Sequence, residues 1–427
     1  TDVIVDLIAG RATGAGKIAN IQNVTGGSGS DTIIGDAKDN ILIGGAGDDV
    51  LTGGPGADII DGGLGTDTLV EQRDSDFALA DGALSIGSEG SDVLLNIEKA
   101  VLTGGASANT FNASAFTGSA ILTGEEGDDT FIVDVGSYAV NGGAGNDTLV
   151  AGDRENTWEI TGEDSGLLDN KAFNSIENLI GGAVSDSFML AAGAMITGLI
   201  DGRQGEDRLT GADTPNIWKI TGKNSGKLNE KPFTDIENLF GGAENEDTFV
   251  FEDGGIISGM VDGGAGGYDS LTVDGGEYSN VIYRITGPDS GTIDLDGMII
   301  TYKGLEPVTH NAAVTGDLVI DLDLDVPAGP ERIVVRADGV NLVIESGDDP
   351  DTFETHTITP AGVPTGKVEI KGGIGDDTFV FQSVPAAFSD KLKFTGEEGT
   401  DTVEATANLD FTLTNSLLSI GTEDIVL

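Results

Sequence analysis

Six segments of the 427-residue chain read Gly-Gly-x-Gly-x-Asp-x-apolar, and four of them lie between residues 26 and 70. That block is five nine-residue units with nothing inserted: GGSGSDTII, GDAKDNILI, GGAGDDVLT, GGPGADIID and GGLGTDTLV. The chemistry this spacing offers is capture of a hard cation. Glycines let the backbone turn tightly and aim carbonyl oxygens inward. The Asp adds a carboxylate, and an all-oxygen ligand set on a turn suits Ca²⁺. If two units make one coil, units 18 residues apart stack, so Asp31 faces Asp49, Asp49 faces Asp67 and Asn40 faces Asp58. Coils about 4.8 Å apart leave room for a cation held by two carboxylates and turn carbonyls at about 2.3–2.6 Å. The candidate ligands are Asp31, Asn40, Asp49, Asp58 and Asp67, with the turn glycines Gly26, Gly44, Gly53 and Gly62. Asn40 carries no charge, so its site is expected to be the weaker one.

Related turns recur at residues 104–109, 124–129, 142–147, 181–186, 202–207, 241–247, 263–269, 372–377 and 396–401. Their terminal carboxylates again fall about one coil apart. Asp129 and Asp147 are separated by 18 residues, Asp186 and Asp207 by 21, Asp247 and Asp269 by 22, and Asp377 and Asp401 by 24. One Ca²⁺ per pair is expected, with Gly142 among the turn glycines, giving about six or more ions for the chain. Asp61, Asp201 and Asp262, just before their turns, are expected to cap them.

These turns need short strands to hold them. Two residues beyond each terminal Asp or Asn stands Phe111, Phe131, Leu149, Phe188, Leu209, Phe249, Leu271, Phe379 or Val403. Period-two placement puts those side chains on the inner face of a strand. A longer repeat overlies the turns: residues 156–182, NTWEITGEDSGLLDNKAFNSIENLIGG, match residues 216–242, shifted by 60. Weaker copies begin at Asp76, Asn280 and Asp410. Short strands between Gly-rich turns, without helical periodicity, predict an all-β fold, a parallel β-solenoid. The expected divisions are a partial module at 1–25, the nonapeptide roll at 26–70, a module with cation turns at 71–150 and repeats at 151–210 and 211–309. An inserted β segment at 310–371 and a terminal module at 372–427 complete them. Whether the insert forms further coils or a side sheet is open on sequence. Trp158, Trp218 and Tyr283 align between modules and read as core, with a sugar-stacking stripe as the alternative. The Ile-Glu-Asn runs read as a solvated face rather than a stacked ladder. The final Glu423–Leu427 reads as a module strand rather than an export signal, and both chain ends cut through modules, as in a segment of a longer repeat protein.

Composition narrows the function classes. The net charge is −52, from 73 acidic and 21 basic residues, which disfavours nucleic acid and anionic membranes as partners. The 38% of apolar residues, regularly spaced, argue against disorder, and bound cations are the natural remedy for so many carboxylates. Cysteine is absent and only two histidines occur, so thiol and zinc chemistry are poor readings. No His-Glu-x-x-His and no Gly-x-Ser-x-Gly is present, and no apolar run approaches the ~18 residues of a membrane span.

The nonapeptide block resembles that of the RTX family, whose repeat builds a calcium-loaded parallel β-roll. The resemblance implies a β-roll at 26–70 with larger coiled modules after it, and a secreted bacterial protein, exported by type I secretion and folded by calcium outside the cell. It points to a structural segment of a cell-surface adhesin, matrix or filament-forming protein, not an enzyme. Alternatives are a non-catalytic module of a secreted enzyme and a glycan-binding or S-layer-like module. Calcium is the implied partner, with end-to-end self-association a further expectation.

Overall fold

The structure is a computed structural model and describes residues 1–243, 246–322, 331–348 and 352–405. It divides into two compact units, Thr1–Gly205 and a second beginning at Glu206.

In the first unit two sheets run side by side, and the chain alternates between them. One sheet stacks Ile4–Asp6, Thr32–Ile34, Val50–Thr52, Thr68–Gln72, Lys99–Thr103, Ser119–Glu126 and Ser137–Ala144 in parallel. The other stacks Asn23–Gly27, Ile41–Ala46, Ile59–Leu64 and Ser91–Leu95. Each nonapeptide contributes one apolar residue inward. Ile33, Leu51 and Leu69 line up across one sheet and Val24, Leu42 and Ile60 across the other, all buried. Burying one such side chain is worth about 1.5–3 kcal/mol, so the inner columns supply the roll's cohesion. The inner position two residues past each turn is buried as expected at Phe111, Phe131, Leu149, Phe188, Leu209, Phe249, Leu271 and Phe379; Val403 is half-buried.

The coils are not parallel throughout. Once per module three strands fold back as an antiparallel meander that adds rungs to the stack. In the first unit the meander of Phe77–Ala80, Ala83–Ile86 and Ser91–Leu95 continues one sheet. That of Thr157–Gly162, Ser165–Leu168 and Lys171–Asn174 continues the other. Among the described residues the second unit has three, one within 217–234, one within 281–303 and one of Arg332–Asp338, Asn341–Ser346 and His356–Ile358, again alternating between its two sheets. Their tight hairpins follow from sequence. Asp169-Asn170 and Asn229-Glu230 occupy paired left-handed conformations (φ 50° and 64°, 49° and 66°), which match the strand twist in two-residue hairpins.

The described residues of the segment 310–371 form further coils of the second unit's stack. Val308–Val314 pairs in parallel with Ser270–Tyr278 and His356–Ile358, and Leu318–Asp321 with Val281–Gly287 and Val368–Lys371. The copy beginning at Asp410 and Glu423–Leu427 lie outside the described residues.

Aromatic columns fill the widened coils. Phe77, Phe111 and Phe131 stack at 5.0 and 4.9 Å, Trp158 stacks on Phe188 at 5.5 Å and Trp218 on Phe249 at 5.4 Å. Trp158, Trp218 and Tyr283 are at most 1% exposed, so the sugar-stacking alternative is corrected: these rings are core. Both histidines are buried as well. His310 Nδ1 meets Tyr283 Oη at 2.9 Å, while His356 Nε2 lies 3.1 Å from Glu354, which also accepts from Tyr302 Oη. Burial holds His310 low, at about 4.

Candidate metal centres in the glycine turns

Each turn brings its terminal carboxylate against the coil before it. Asp49 Oδ1 accepts the backbone N–H of Asp31 (2.7 Å), Asp67 Oδ1 that of Asp49 (2.8 Å) and Asp58 Oδ1 that of Asn40 (2.8 Å). The longer coils repeat the contact: Asp147 with Asp129 at 2.8 Å, Asp269 with Asp247 at 2.7 Å and Asp401 with Asp377 at 3.1 Å. The expected facing pairs are thus brought together as a ladder. Asp186 lies in the first unit and Asp207 in the second, and each is taken with its own neighbours. All of these carboxylates are buried except Asp401, which is half-buried.

The second oxygen separates two kinds of turn. In turns that keep the third glycine, Asp31, Asp49, Asp58, Asp67, Asp129, Asp147 and Asp377 bury an Oδ2 with no hydrogen-bond partner. Each Oδ2 sits against the first glycine of its own turn. A methyl on Gly26, Gly44, Gly53, Gly62 or Gly142 would lie 2.1 to 2.5 Å from it, and on Gly26 only 2.4 Å from the Gly44 carbonyl of the next coil. Carboxylate oxygen and next-coil carbonyl therefore converge on one spot.

Turns that lack the third glycine close on themselves. Gly182 N–H donates to Asp186 Oδ2 (2.6 Å) and Gly242 N–H to Asp247 Oδ2 (2.8 Å). Their Oδ1 atoms each accept two bonds, from the backbone and side chain of Asn156 and of Asn216. Asn40 likewise accepts from Asp36 N–H at 2.7 Å. The difference follows from backbone direction. In the intact turn 44–49 the second glycine, Gly45, is left-handed at φ 118°, whereas Gly182 and Gly242 are not among the positive-φ glycines.

Electrostatics point the same way. Burial raises the carboxyls of Asp49, Asp58, Asp67, Asp129 and Asp147, only partly offset by the N–H donors; neighbouring carboxylates add to the rise at each, opposed at Asp58 by the Arg73 guanidinium. Burial pushes Asp269 to about 6 and Asp377 to about 7. A buried ionised oxygen without a donor costs several kcal/mol, and a cation in the turn removes that cost. Among the described residues no three carboxylate or imidazole side chains surround one point. The side-chain share of any such site is therefore at most two carboxylates, and turn carbonyls would have to complete a calcium-type oxygen shell.

Some neighbours of the turns were not anticipated. Asp92 Oδ1 accepts from Asp58 N–H (2.9 Å), and burial lifts its carboxyl to about 6. Glu71 accepts from Gly53 and Gly54 N–H and faces Arg73 at 3.3 Å; burial lifts it to about 7. In the Ile-Glu-Asn runs Glu98 is solvated as expected, Glu177 is half-buried and Glu237 is buried, and all three accept a backbone N–H, from Asp67, Asp147 and Asp207. Asp201 and Asp262 cap their turns through Arg203 and Gly264 N–H, and Asp61 holds the Asn96 side chain.

Paired sheets wound in parallel coils, with carboxylate turns stacked along their edges, define a calcium-type β-roll solenoid. A scan against protein families finds the RTX calcium-binding nonapeptide repeat (4 copies) at residues 25–58, 34–69 and 136–153. Residues 25–69 and 136–153 thus carry RTX calcium-binding nonapeptide repeats. A search of the curated proteins finds no match to the chain.

Proposed function

We propose that this chain is a calcium-folded structural segment of a secreted bacterial surface protein of adhesive, matrix or filament-forming type. The observation that carries the reading is that, among the described residues, seven turns with the third glycine each bury an Asp oxygen without a hydrogen-bond partner. Ca²⁺ is assigned to these turns, through Asp31, Asp49, Asp58, Asp67, Asp129, Asp147 and Asp377 with the next-coil carbonyls. Asp207 and Asp401 belong to turns that keep the third glycine at the same spacing, and Asp269 to one with an extra residue. Asn40, Asp186 and Asp247 sit in self-closed turns, which fit a cation less well. Bound calcium supplies the positive charge that lets the carboxylates approach, so binding free energy becomes folding free energy.

A net charge of −52 then ties folding to place. Where calcium is scarce, repulsion keeps the chain extended and fit for a type I export channel. At the millimolar calcium outside a cell the coils close one on the next, as in repeat proteins generally. Burial of Trp158 and Trp218 disfavours the glycan-binding alternative.

The test is a calcium titration from EGTA followed by far-UV circular dichroism, with bound ions counted by calorimetry. A coil-to-β transition below or near millimolar calcium with about six or more ions is expected. A β spectrum indifferent to EGTA overturns the reading.

A further inference from the structure

Glycine turns stop where a module changes its path, and the last Asp of each run faces a different kind of turn. After Asp67 comes Asn96-Ile97-Glu98, and after Asp147 comes Ser175-Ile176-Glu177. Both segments imitate a glycine turn with other residues. Asn96 and Ser175 are left-handed (φ 51° and 53°). Their carbonyls approach Gly62 and Gly142 as the next-coil glycine carbonyl approaches Gly26: a methyl on those glycines would lie 2.2 and 2.0 Å away. Ile97 and Ile176 are buried. The Glu carboxylate then takes the place of the missing Asp. Glu98 accepts Asp67 N–H at 2.9 Å and Glu177 accepts Asp147 N–H at 2.6 Å, matching the 2.8 Å of Asp67 on Asp49.

In both places the Asp side is unfinished. Asp67 Oδ2 and Asp147 Oδ2 are buried without a partner and lie against the glycine that the Asn96 or Ser175 carbonyl also approaches. A carboxylate, a carbonyl and a second carboxylate on the next coil make up the same donor set as an ordinary stacked pair of turns. We infer that Glu98 and Glu177 are metal ligands, each completing a Ca²⁺ site with Asp67 or Asp147 at the end of a run of turns. The inference rests on the calcium reading proposed above.

The third copy, Asp235-Ile236-Glu237, provides the contrast. Glu237 also accepts its Asp N–H, from Asp207 at 2.8 Å, but its other oxygen takes the side-chain amide of Asn224 at 2.7 Å. In the Glu177 module the matching residue is Asp164, which puts a carboxyl beside Glu177 where the other module has an amide donor. An amide satisfies one Glu, and a cation is left to satisfy the other.

The experiment counts Ca²⁺ bound per full chain at saturation, by calorimetry and by metal analysis after dialysis, in Glu98→Gln, Glu177→Gln and Glu237→Gln. Gln keeps one oxygen for the Asp N–H and replaces the other, with the negative charge, by an amide NH2. The expected result is the loss of one ion, or a tenfold or greater weakening of one site, in the first two variants and no change in the third. Circular dichroism in saturating calcium should match the parent in all three. Unchanged ion number and affinity in Glu98→Gln and Glu177→Gln overturn the inference and leave these residues as capping acceptors, with the calcium reading intact. Equal losses in Glu237→Gln overturn it as well. A parent chain that binds no calcium defeats both readings together.

Discussion

Adjacent glycines in one turn answer different demands. Gly45 is needed both for its left-handed φ of 118° and for space, a methyl there lying 2.2 Å from the Gly27 carbonyl, whereas Gly44 is needed for space alone, because a methyl there would lie 2.2 Å from Asp49 Oδ2 and 2.7 Å from the Gly62 carbonyl. Gly44→Ala is therefore expected to raise the calcium midpoint for folding and to cost on the order of 2 kcal/mol. Gly82→Ala, which meets nothing within 4 Å, should leave the midpoint in place. Equal midpoints in the two variants, read by circular dichroism, would remove Gly44 from the site. Sequence spacing placed the facing carboxylates correctly, since the 18-residue period is a property of the repeat itself. Which Asp oxygens stay unsatisfied was not legible, because that depends on whether Gly45 or Gly182 turns its N–H toward the carboxylate.

At the level of elements, aromatic rings enter where meanders widen the coil. Trp158 stacks on Phe188 and meets Phe173 edge-on at 6.0 Å, inside a meander strand with no exposure. Replacing it by Ala should cost about 3–5 kcal/mol. In calcium the tryptophan emission should be blue and insensitive to acrylamide, and soluble sugars should leave it unchanged. Quenching by sugar in the folded state would restore the glycan-binding alternative. Sequence alignment of Trp158, Trp218 and Tyr283 pointed to a repeated strand, but the antiparallel return of the chain was hidden. The hairpin pairs Asp169-Asn170 and Asn229-Glu230 were the available signal, residues that tolerate left-handed backbone between alternating strands.

For the molecule as a whole, folding without calcium gathers carboxylates that prefer to be neutral. Asp377 at about 7 and Asp269 at about 6 stand above their unfolded values near 4. Groups raised in this way contribute stability below the unfolded value and lose it as pH rises through the folded one. His310 acts oppositely: held at about 4 by burial, it costs stability as pH falls below about 6.5, where the unfolded chain takes up a proton. Carboxylates outnumber this single imidazole, so the calcium-free chain should gain thermal stability between pH 8 and about 5.5. Saturating calcium should flatten that dependence. A calcium-free melting temperature that falls over the same interval would show that the buried carboxylates do not govern folding.

The amino-acid sequence by itself determined the repeat, the inward apolar columns, the stacking partners of the Asp residues and the oxygen-rich turn chemistry. All of these are periodic, and a period survives in one dimension. Tertiary structure alone decided the rest: that 310–371 continues the coils, that meanders alternate between sheets, and that Glu98, Glu177 and Glu237 meet Asp residues about 30 positions away. Those contacts join segments of different sequence. Only the stacking of coils, which brings unlike turns to the same height, makes them equivalent.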